Sequence, residues 1–351
     1  MFQRILVPLD GSARAERAIP VAVRLAYASG GSVILVRAVS KSSGLWPSMA
    51  TRTTLAHQVL TADCAEAEQY LADVITAPNL ESVPTETVVR FGPTVSTLLA
   101  VADDSEADLI VLCSHGYKGV TRRIMGSVAE KLAREAEVPV LVLREDGPMP
   151  GEGRPDATRP LRALVPLDGS VSAKAALEPA AYLLTALTDP SSMPGVLHLL
   201  RVVQPVTARS EEGGMLTASE KTRRYLSATA EHLREGLVAP AVAKLKLAVT
   251  WSVAVDSYVA ETLIRTAENI EGTEEWGEML GDCDVIALAT HGRDGLQRWV
   301  MGSVTEHVLR DTKLPLLIVP PQGQSKAVEN EQIEEENRQS SKRVERYTYQ
   351  Y

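Results

Sequence analysis

An internal repeat constrains this chain more than any other feature of its sequence. The segment RILVPLDGS at residues 4–12 returns as RALVPLDGS at residues 162–170. The segment SHGYKGVTRRIMGS at 114–127 returns as THGRDGLQRWVMGS at 290–303, and both contain His-Gly, nine further residues and Gly-Ser. Because the segments recur in the same order, the chain contains two copies of one folding unit.

Length and composition agree with two globular units. The chain has 351 residues, of which 45% are hydrophobic, and this length favours two domains that each bury a core. A stretch that is rich in proline, glycine and charge separates the copies, and a charged tail that is poor in aliphatic residues follows the second copy. We expect a first domain at 1–145, a linker at 146–160, a second domain at 161–320 and a disordered tail at 321–351.

The first copy alternates short apolar runs with longer segments of helical periodicity. We expect strands near 3–9, 33–39, 85–90, 108–114 and 139–144, and helices near 13–29, 52–75, 94–103 and 127–137. Ser12 and Ser127 are placed to cap the first and last of these helices. The strands are apolar on successive residues, which is typical of a sheet covered on both faces. The sequence therefore predicts an α/β fold with two tandem, doubly wound open sheets of about five parallel strands each.

Charge and cysteine usage exclude several classes of function. The net charge of −9 argues against a nucleic-acid partner, because phosphate contacts need clustered lysine and arginine. The three cysteines form no C-x-x-C pair, which favours free thiols in a reducing compartment. Neither a leader-like N-terminal segment nor an apolar run of membrane-spanning length is present in the sequence. We expect a soluble cytoplasmic protein with no membrane partner.

The repeated motifs are expected to meet at one crevice in each copy. Ligands of open parallel sheets lie beyond the carboxyl ends of the strands, where Asp10 and Asp168 follow the first strands. Gly126-Ser127 and Gly302-Ser303 begin helices whose free N–H groups favour an anion such as phosphate. Lysine and arginine in the preceding loops add positive charge there. Neither copy contains a Walker or G-x-G-x-x-G motif, so these two modes of nucleotide binding are excluded.

Structural roles compete with ligand contact at several of these positions. Asp10 and Asp168 are also suited to capping a turn, although their place at the switch point favours ligand contact. A hydrogen bond that orients the loop explains His115 and His291 better than general-base catalysis does, because no nucleophile is spaced to work with them. Cys113 ends an apolar strand and is expected to belong to the core.

These motifs resemble the universal stress protein family in its tandem form. ATP-binding members of that family carry Gly, two residues, Gly, nine residues, then Gly and Ser or Thr, and both copies match all of this except the first glycine, which is Cys113 or Ala289 here. The resemblance implies an adenine nucleotide site in each copy, with ATP as the ligand and Mg²⁺ as a companion ion. In the first copy the implied site residues are Pro8, Asp10, Ala38, Cys113, His115, Gly116, Gly126, Ser127 and Val128. In the second copy they are Pro166, Asp168, Val202, Ala289, His291, Gly292, Gly302, Ser303 and Val304.

Several functions and partners stay open at this point. The leading hypothesis is a nucleotide-responsive regulatory protein, and its rivals are an interaction module that binds no nucleotide and a slow ATPase. No catalytic residue is assigned, and no metal-ligand cluster is evident. The family pairs through its fifth strands, so the apolar runs at 139–143 and 315–319 are expected to meet in an intramolecular pseudo-dimer. The tail is a candidate binding segment for a protein partner.

Overall fold

The fold is known from a computed structural model of the chain. It describes residues 1–40, 52–114, 125–150, 159–189, 192–205, 218–268, 282–290 and 301–320. The expected tail at 321–351 lies outside these ranges, as does much of the expected linker.

Each half of the chain contributes five strands to the described structure. The first half contains β1 Arg4–Pro8, β2 Ser32–Val39, β3 Thr85–Phe91, β4 Leu109–Ser114 and β5 Val140–Arg144. The second half contains β6 Arg162–Pro166, β7 Val196–Val203, β8 Ala248–Val255, β9 Val285–Ala289 and β10 Leu316–Val319. The five strands expected in the first copy are all present.

Helices connect the strands of both halves. In the first half they are α1 Ala13–Glu16, α2 Ala18–Ser29, α3 Arg52–Ile75, α4 Thr94–Asp104 and α5 Ser127–Glu135. In the second half they are α6 Leu177–Leu187, α7 Ala218–Glu235, α8 Val259–Glu268 and α9 Ser303–Asp311. Three short 3₁₀ segments accompany them at Pro78–Leu80, Ser172–Ala176 and Val242–Lys244.

The ten strands form one continuous sheet in the order β3-β2-β1-β4-β5-β10-β9-β6-β7-β8. Pairing is parallel within each half, and β5 and β10 pair antiparallel at the centre, with Leu141 opposite Leu317. The expected pairing of the fifth strands is therefore confirmed. Each half buries the edge of its fifth strand against the other half, which removes two exposed sheet edges from the chain.

The core lies on both faces of this sheet. One face packs against α2, α3, α6 and α7, with Leu25 and Leu183 fully buried there. The other face packs against α4, α5, α8 and α9, with Leu132 and Val308 fully buried. Because side chains of a strand alternate between the faces, covering both faces explains why the strands are apolar at successive positions.

Two local expectations about helices are wrong. The helix expected at 13–29 is divided at Arg17, because Pro20 has no N–H to donate to the carbonyl of Glu16. Ser12 does cap α1, since its Oγ accepts a hydrogen bond from Ala15 N at 3.2 Å. Ser127, however, is the first residue of α5, and the capping position is Gly126, which has no side chain to accept a hydrogen bond.

Candidate functional site: a cleft at the carboxyl ends of the strands

A cleft of about 510 Å³ opens at the carboxyl ends of β1, β2 and β4 in the first half. It lies where the strand order reverses between β1 and β4, which is the position where open α/β sheets bind ligands. Its volume falls within the range of small-molecule sites. Its lining includes Pro8, Leu9, Asp10, Arg14, Arg37, Ala38, Asp63, Glu66, Thr94, Leu98, Leu112, Cys113, Ser114, Gly126, Ser127 and Val128.

Asp10 forms the polar end of this cleft. Its Oδ1 accepts hydrogen bonds from Ser12 N at 3.0 Å and Ser12 Oγ at 2.5 Å, and its Oδ2 accepts one from Arg14 Nη2 at 2.8 Å. Partial burial raises the pKa of Asp10, but the Ser12 hydrogen bonds and the Arg14 charge outweigh burial and hold the pKa below 3.8. The carboxylate is therefore charged and oriented, and more than half of its side chain is exposed to the cleft and solvent.

The N-terminus of α5 forms a second polar end. Gly126 precedes the helix in an extended conformation, with φ −64° and ψ 132°. The first N–H groups of a helix have no intrahelical partner, and no side chain caps them here. These donors and the helix dipole therefore favour an anion at this place in the cleft.

Neither Gly126 nor Gly302 adopts a backbone angle that requires glycine. Gly126 has φ −64° and Gly302 has φ −61°, both of which any residue adopts. Glycine therefore matters here through the space that it leaves open at the start of the helix. Glycine is required instead at Gly11 and Gly169, which directly follow the two aspartates. Their φ angles of 84° and 89° would strain any other residue.

The second half repeats much of this arrangement. Asp168 Oδ1 accepts a hydrogen bond from Ser170 N at 2.8 Å, as Asp10 does from Ser12. Gly302 is the capping residue of α9, and its N–H donates to Thr290 O at 2.8 Å. This bond holds the start of α9 against the residue that follows β9.

The structure places most of the predicted site residues together. Those that line the cleft of the first half are Pro8, Asp10, Ala38, Cys113, Gly126, Ser127 and Val128. Those at the carboxyl ends of strands or the start of α9 in the second half are Pro166, Asp168, Val202, Ala289, Gly302, Ser303 and Val304. Those outside the described residues are His115, Gly116, His291 and Gly292. Cys113 is 9% exposed, and burial raises the pKa of its thiol to about 11, so it is poorly suited to nucleophilic chemistry.

Sequence reasoning missed an arginine in each half. The guanidinium carbon of Arg37 lies 4.9 Å from the ring centroid of Tyr70, and that of Arg201 lies 5.4 Å from the ring centroid of Tyr225. Arg37 lines the cleft. The repeat itself contains the signal, because LVRAV at 35–39 and LLRVV at 199–203 carry arginine at the same position.

The fold and the cleft together define an open, doubly wound α/β protein with its candidate site at the topological switch point. Comparison with known proteins leads from this class to a family. The profile of the universal stress protein family matches residues 1–144 and again 161–320. The chain belongs to the universal stress protein family, in a tandem form.

Individual relatives agree with this assignment. A Staphylococcus aureus USA300 protein described as a universal stress protein is 30% identical over 169 residues, which is 46% of this chain and 95% of the relative. The crystal structure of a universal stress protein from Archaeoglobus fulgidus matches with a TM-score of 0.62 at 17% identity, covering 92% of this chain and 99% of that one. A Pseudomonas aeruginosa structure of the same description matches with a TM-score of 0.51 at 18% identity, covering 91% and 93% of the two chains. The similarity to these two structures shows the fold.

No helix among the described residues is long and apolar enough to cross a membrane.

Proposed function

We propose that this chain is a nucleotide-responsive regulatory protein that binds an adenine nucleotide, ATP in particular, at the carboxyl ends of its strands. Occupancy of one or both sites changes the shape of the chain or its choice of partner, in a response to cellular stress. Mg²⁺ accompanies ATP as a counter-ion of the phosphates. The three cysteines are free thiols, which suits a cytoplasmic location.

One observation supports this proposal above the others. A single cleft of about 510 Å³ is lined both by a charged, oriented carboxylate and by the N-terminus of α5, which has no side-chain cap. A carboxylate accepts hydrogen bonds from amino and hydroxyl groups of a nucleoside, whereas free helix N–H groups bind phosphate oxygens. Apolar residues such as Leu98, Leu112 and Val128 also line the cleft and suit the faces of a base or sugar.

Calorimetry on the purified chain, stripped of nucleotide, tests the proposal. Titration with ATP, ADP and AMP, each with and without magnesium, is expected to release heat with saturable binding by at least one of the three. Mass spectrometry of small molecules released from the protein by heat gives an independent measurement. Absence of binding by all three nucleotides at millimolar concentration would refute the proposal and favour an interaction module of the same fold.

A further inference from the structure

The two halves hold the same arginine-tyrosine pair beside the first turn after β1 and β6. A Cβ at Gly11 would lie 3.2 Å from Nη1 of Arg37, and a Cβ at Gly169 would lie 2.8 Å from Nη1 of Arg201. Each arginine therefore lies against the glycine that follows the site aspartate. This shared geometry allows the charges around it to be compared position by position.

The side-chain charge four residues after the capping serine is reversed between the halves. Ser12 and Ser170 accept hydrogen bonds from the backbone N–H three residues later, so the next residues, Glu16 and Lys174, are equivalent. Glu16 Oε1 accepts a hydrogen bond from Tyr70 Oη at 2.8 Å. Lys174 instead places its Nζ 5.4 Å from the ring centroid of Tyr225.

The helices that carry the two tyrosines differ in the same way. Tyr70 on α3 and Tyr225 on α7 each precede a buried leucine, Leu71 or Leu226, which sets the alignment of the two helices. One turn before the tyrosines, Glu66 on α3 corresponds to Lys221 on α7. Asp63 and Ala218 correspond by the same alignment, and Asp63 and Glu66 both line the cleft of the first half. Three acidic side chains around the first site, Glu16, Asp63 and Glu66, are thus replaced by lysine or alanine, whereas the site aspartate is kept and Arg14 is replaced by Ser172.

This difference lies beside the site aspartate, because Arg37 and Arg201 lie against the glycines that follow Asp10 and Asp168. The proposed function places the nucleoside end of the ligand at this aspartate. The two halves therefore present different charges to the nucleoside end of the same kind of site.

We propose that the second half binds a nucleotide that carries an additional phosphate at its nucleoside end, whereas the first half excludes such a ligand. Lys174 and Arg201 lie against the ring of Tyr225 beside that end, and Lys221 lies one turn before Tyr225 on α7. Their positive charge attracts a ribose phosphate, whereas Glu16, Asp63 and Glu66 repel it in the first half. The two sites then respond to different ligands. This inference rests on the proposed nucleotide binding and specifies the ligand class of each site.

Calorimetry with AMP and with adenosine 3′,5′-bisphosphate, on the full chain stripped of nucleotide, tests the inference at low ionic strength. We expect one site per chain to bind the bisphosphate about tenfold more tightly than AMP, an effect the size of one favourable charge interaction. Lys221→Glu is expected to bring the ratio of the two affinities close to one. The reciprocal variant Glu66→Lys is expected to create a second site that prefers the bisphosphate.

Both substituted positions are exposed, so the melting temperatures of the variants serve as the control for folding and are expected to stay close to that of the parent chain. Equal affinities for the two probes in the parent chain, or a preference that survives in Lys221→Glu, would overturn this inference while leaving nucleotide binding intact. Absence of binding by both probes would also overturn this inference, and absence of binding by ATP in the same titration series would overturn the proposed function as well.

Discussion

Gly126 and Gly302 each precede a helix whose first N–H groups have no side-chain cap. Any residue adopts these backbone angles, so a variant with valine at either position is expected to fold normally. The valine side chain, however, fills the space that a phosphate needs. We expect each single substitution to abolish nucleotide binding at its own site and the double substitution to abolish all calorimetric heat. The melting temperature should change little.

Alanine at the same two positions is the matched control for these variants. Its smaller side chain is expected to weaken binding less than valine does. A Cβ at Gly302 would lie 3.4 Å from Thr290 O, an ordinary contact distance, so alanine fits at this position. Normal nucleotide affinity in the double valine variant would show that the phosphates bind elsewhere.

Asp10 presents a charged carboxylate to the cleft and also holds the turn before α1. Asp10→Ala is expected to weaken nucleotide binding by about 1–3 kcal/mol, the usual cost of losing a hydrogen bond to a charged group. Titration calorimetry measures the change in Kd. Ser12→Ala is the control, because it removes the cap of α1 and keeps the carboxylate with its hydrogen bonds from Ser12 N and Arg14, so it should lower the melting temperature with a smaller effect on Kd than Asp10→Ala. Equal losses of affinity in both variants would assign Asp10 a purely structural role.

At the level of secondary structure elements, β7 contains a buried histidine whose two ring nitrogens contact hydroxyl groups of the neighbouring strand. His198 is 2% exposed, and its ring nitrogens lie 2.8 Å from Thr250 Oγ1 and 2.9 Å from Ser252 Oγ on β8. Burial, followed by the charge of Arg162, lowers the pKa of His198 from 6.5 to about 3. The folded chain therefore keeps this ring neutral across the mildly acidic range.

The lowered pKa makes stability depend on pH in a defined window. The unfolded chain takes up a proton at His198 below about pH 6.5, whereas the folded chain does so only near pH 3, so the stabilisation is complete above 6.5 and is lost as pH falls toward 3. The free energy of unfolding should fall by up to about 1.4 kcal/mol per pH unit within this window from His198 alone. Urea unfolding between pH 7 and pH 4 measures this slope.

The repeat supplies a natural replacement for His198. Ile34 of β2 lies opposite Leu6 of β1, and His198 of β7 lies opposite Leu164 of β6, so Ile34 and His198 are equivalent. The variant His198→Ile therefore gives the second half the residue that the first half has at this position. We expect this variant to have a flatter dependence of stability on pH. Substitution of the exposed His232 by glutamine is the control and should leave the slope unchanged. A slope equal to that of the parent chain in His198→Ile would contradict the assignment.

At the level of the whole molecule, the contact between β5 and β10 joins the two halves into one sheet. Leu317 has no exposed surface and faces Leu141 across this contact. Leu317→Lys places an unpaired charge in the centre of the sheet and is expected to lower the free energy of unfolding by more than about 3 kcal/mol. Leu237→Lys is the control, because Leu237 is 69% exposed and its substitution should be nearly neutral. Chemical denaturation measures both, and a small effect at Leu317 would contradict a buried central contact.

The tail is expected to contribute little to the stability of the whole molecule. Residues 321–351 are charged and poor in aliphatic side chains, so they offer little apolar surface for burial. Removal of 322–351 is expected to leave the melting temperature almost unchanged in scanning calorimetry. A loss of function at unchanged stability would identify the tail as a segment that binds a partner, whereas a large fall in melting temperature would show that it packs on the folded domains.

The repeat and the strands could be predicted from the sequence, because they depend on local patterns and on the repetition of long motifs, which a sequence displays directly. The pairing of the fifth strands was expected from the resemblance to the family. Two local predictions, the continuity of the first helix and the capping residue of α5, were wrong. Pro20 divides a helix whose apolar pattern runs through it, and Gly126, rather than Ser127, takes the capping position of α5.

The tertiary structure alone decided which distant side chains surround each site. Arg37 and Tyr70 come from a strand and a helix that are far apart in sequence, and their contact depends on how α3 packs against the sheet. The repeat showed that Arg37 and Arg201 are equivalent, but only their positions against Gly11 and Gly169 connect them to the site. Sequence patterns determine which segments form strands and helices because those preferences are local, whereas the charge around a cleft is the sum of contributions from segments that only folding brings together.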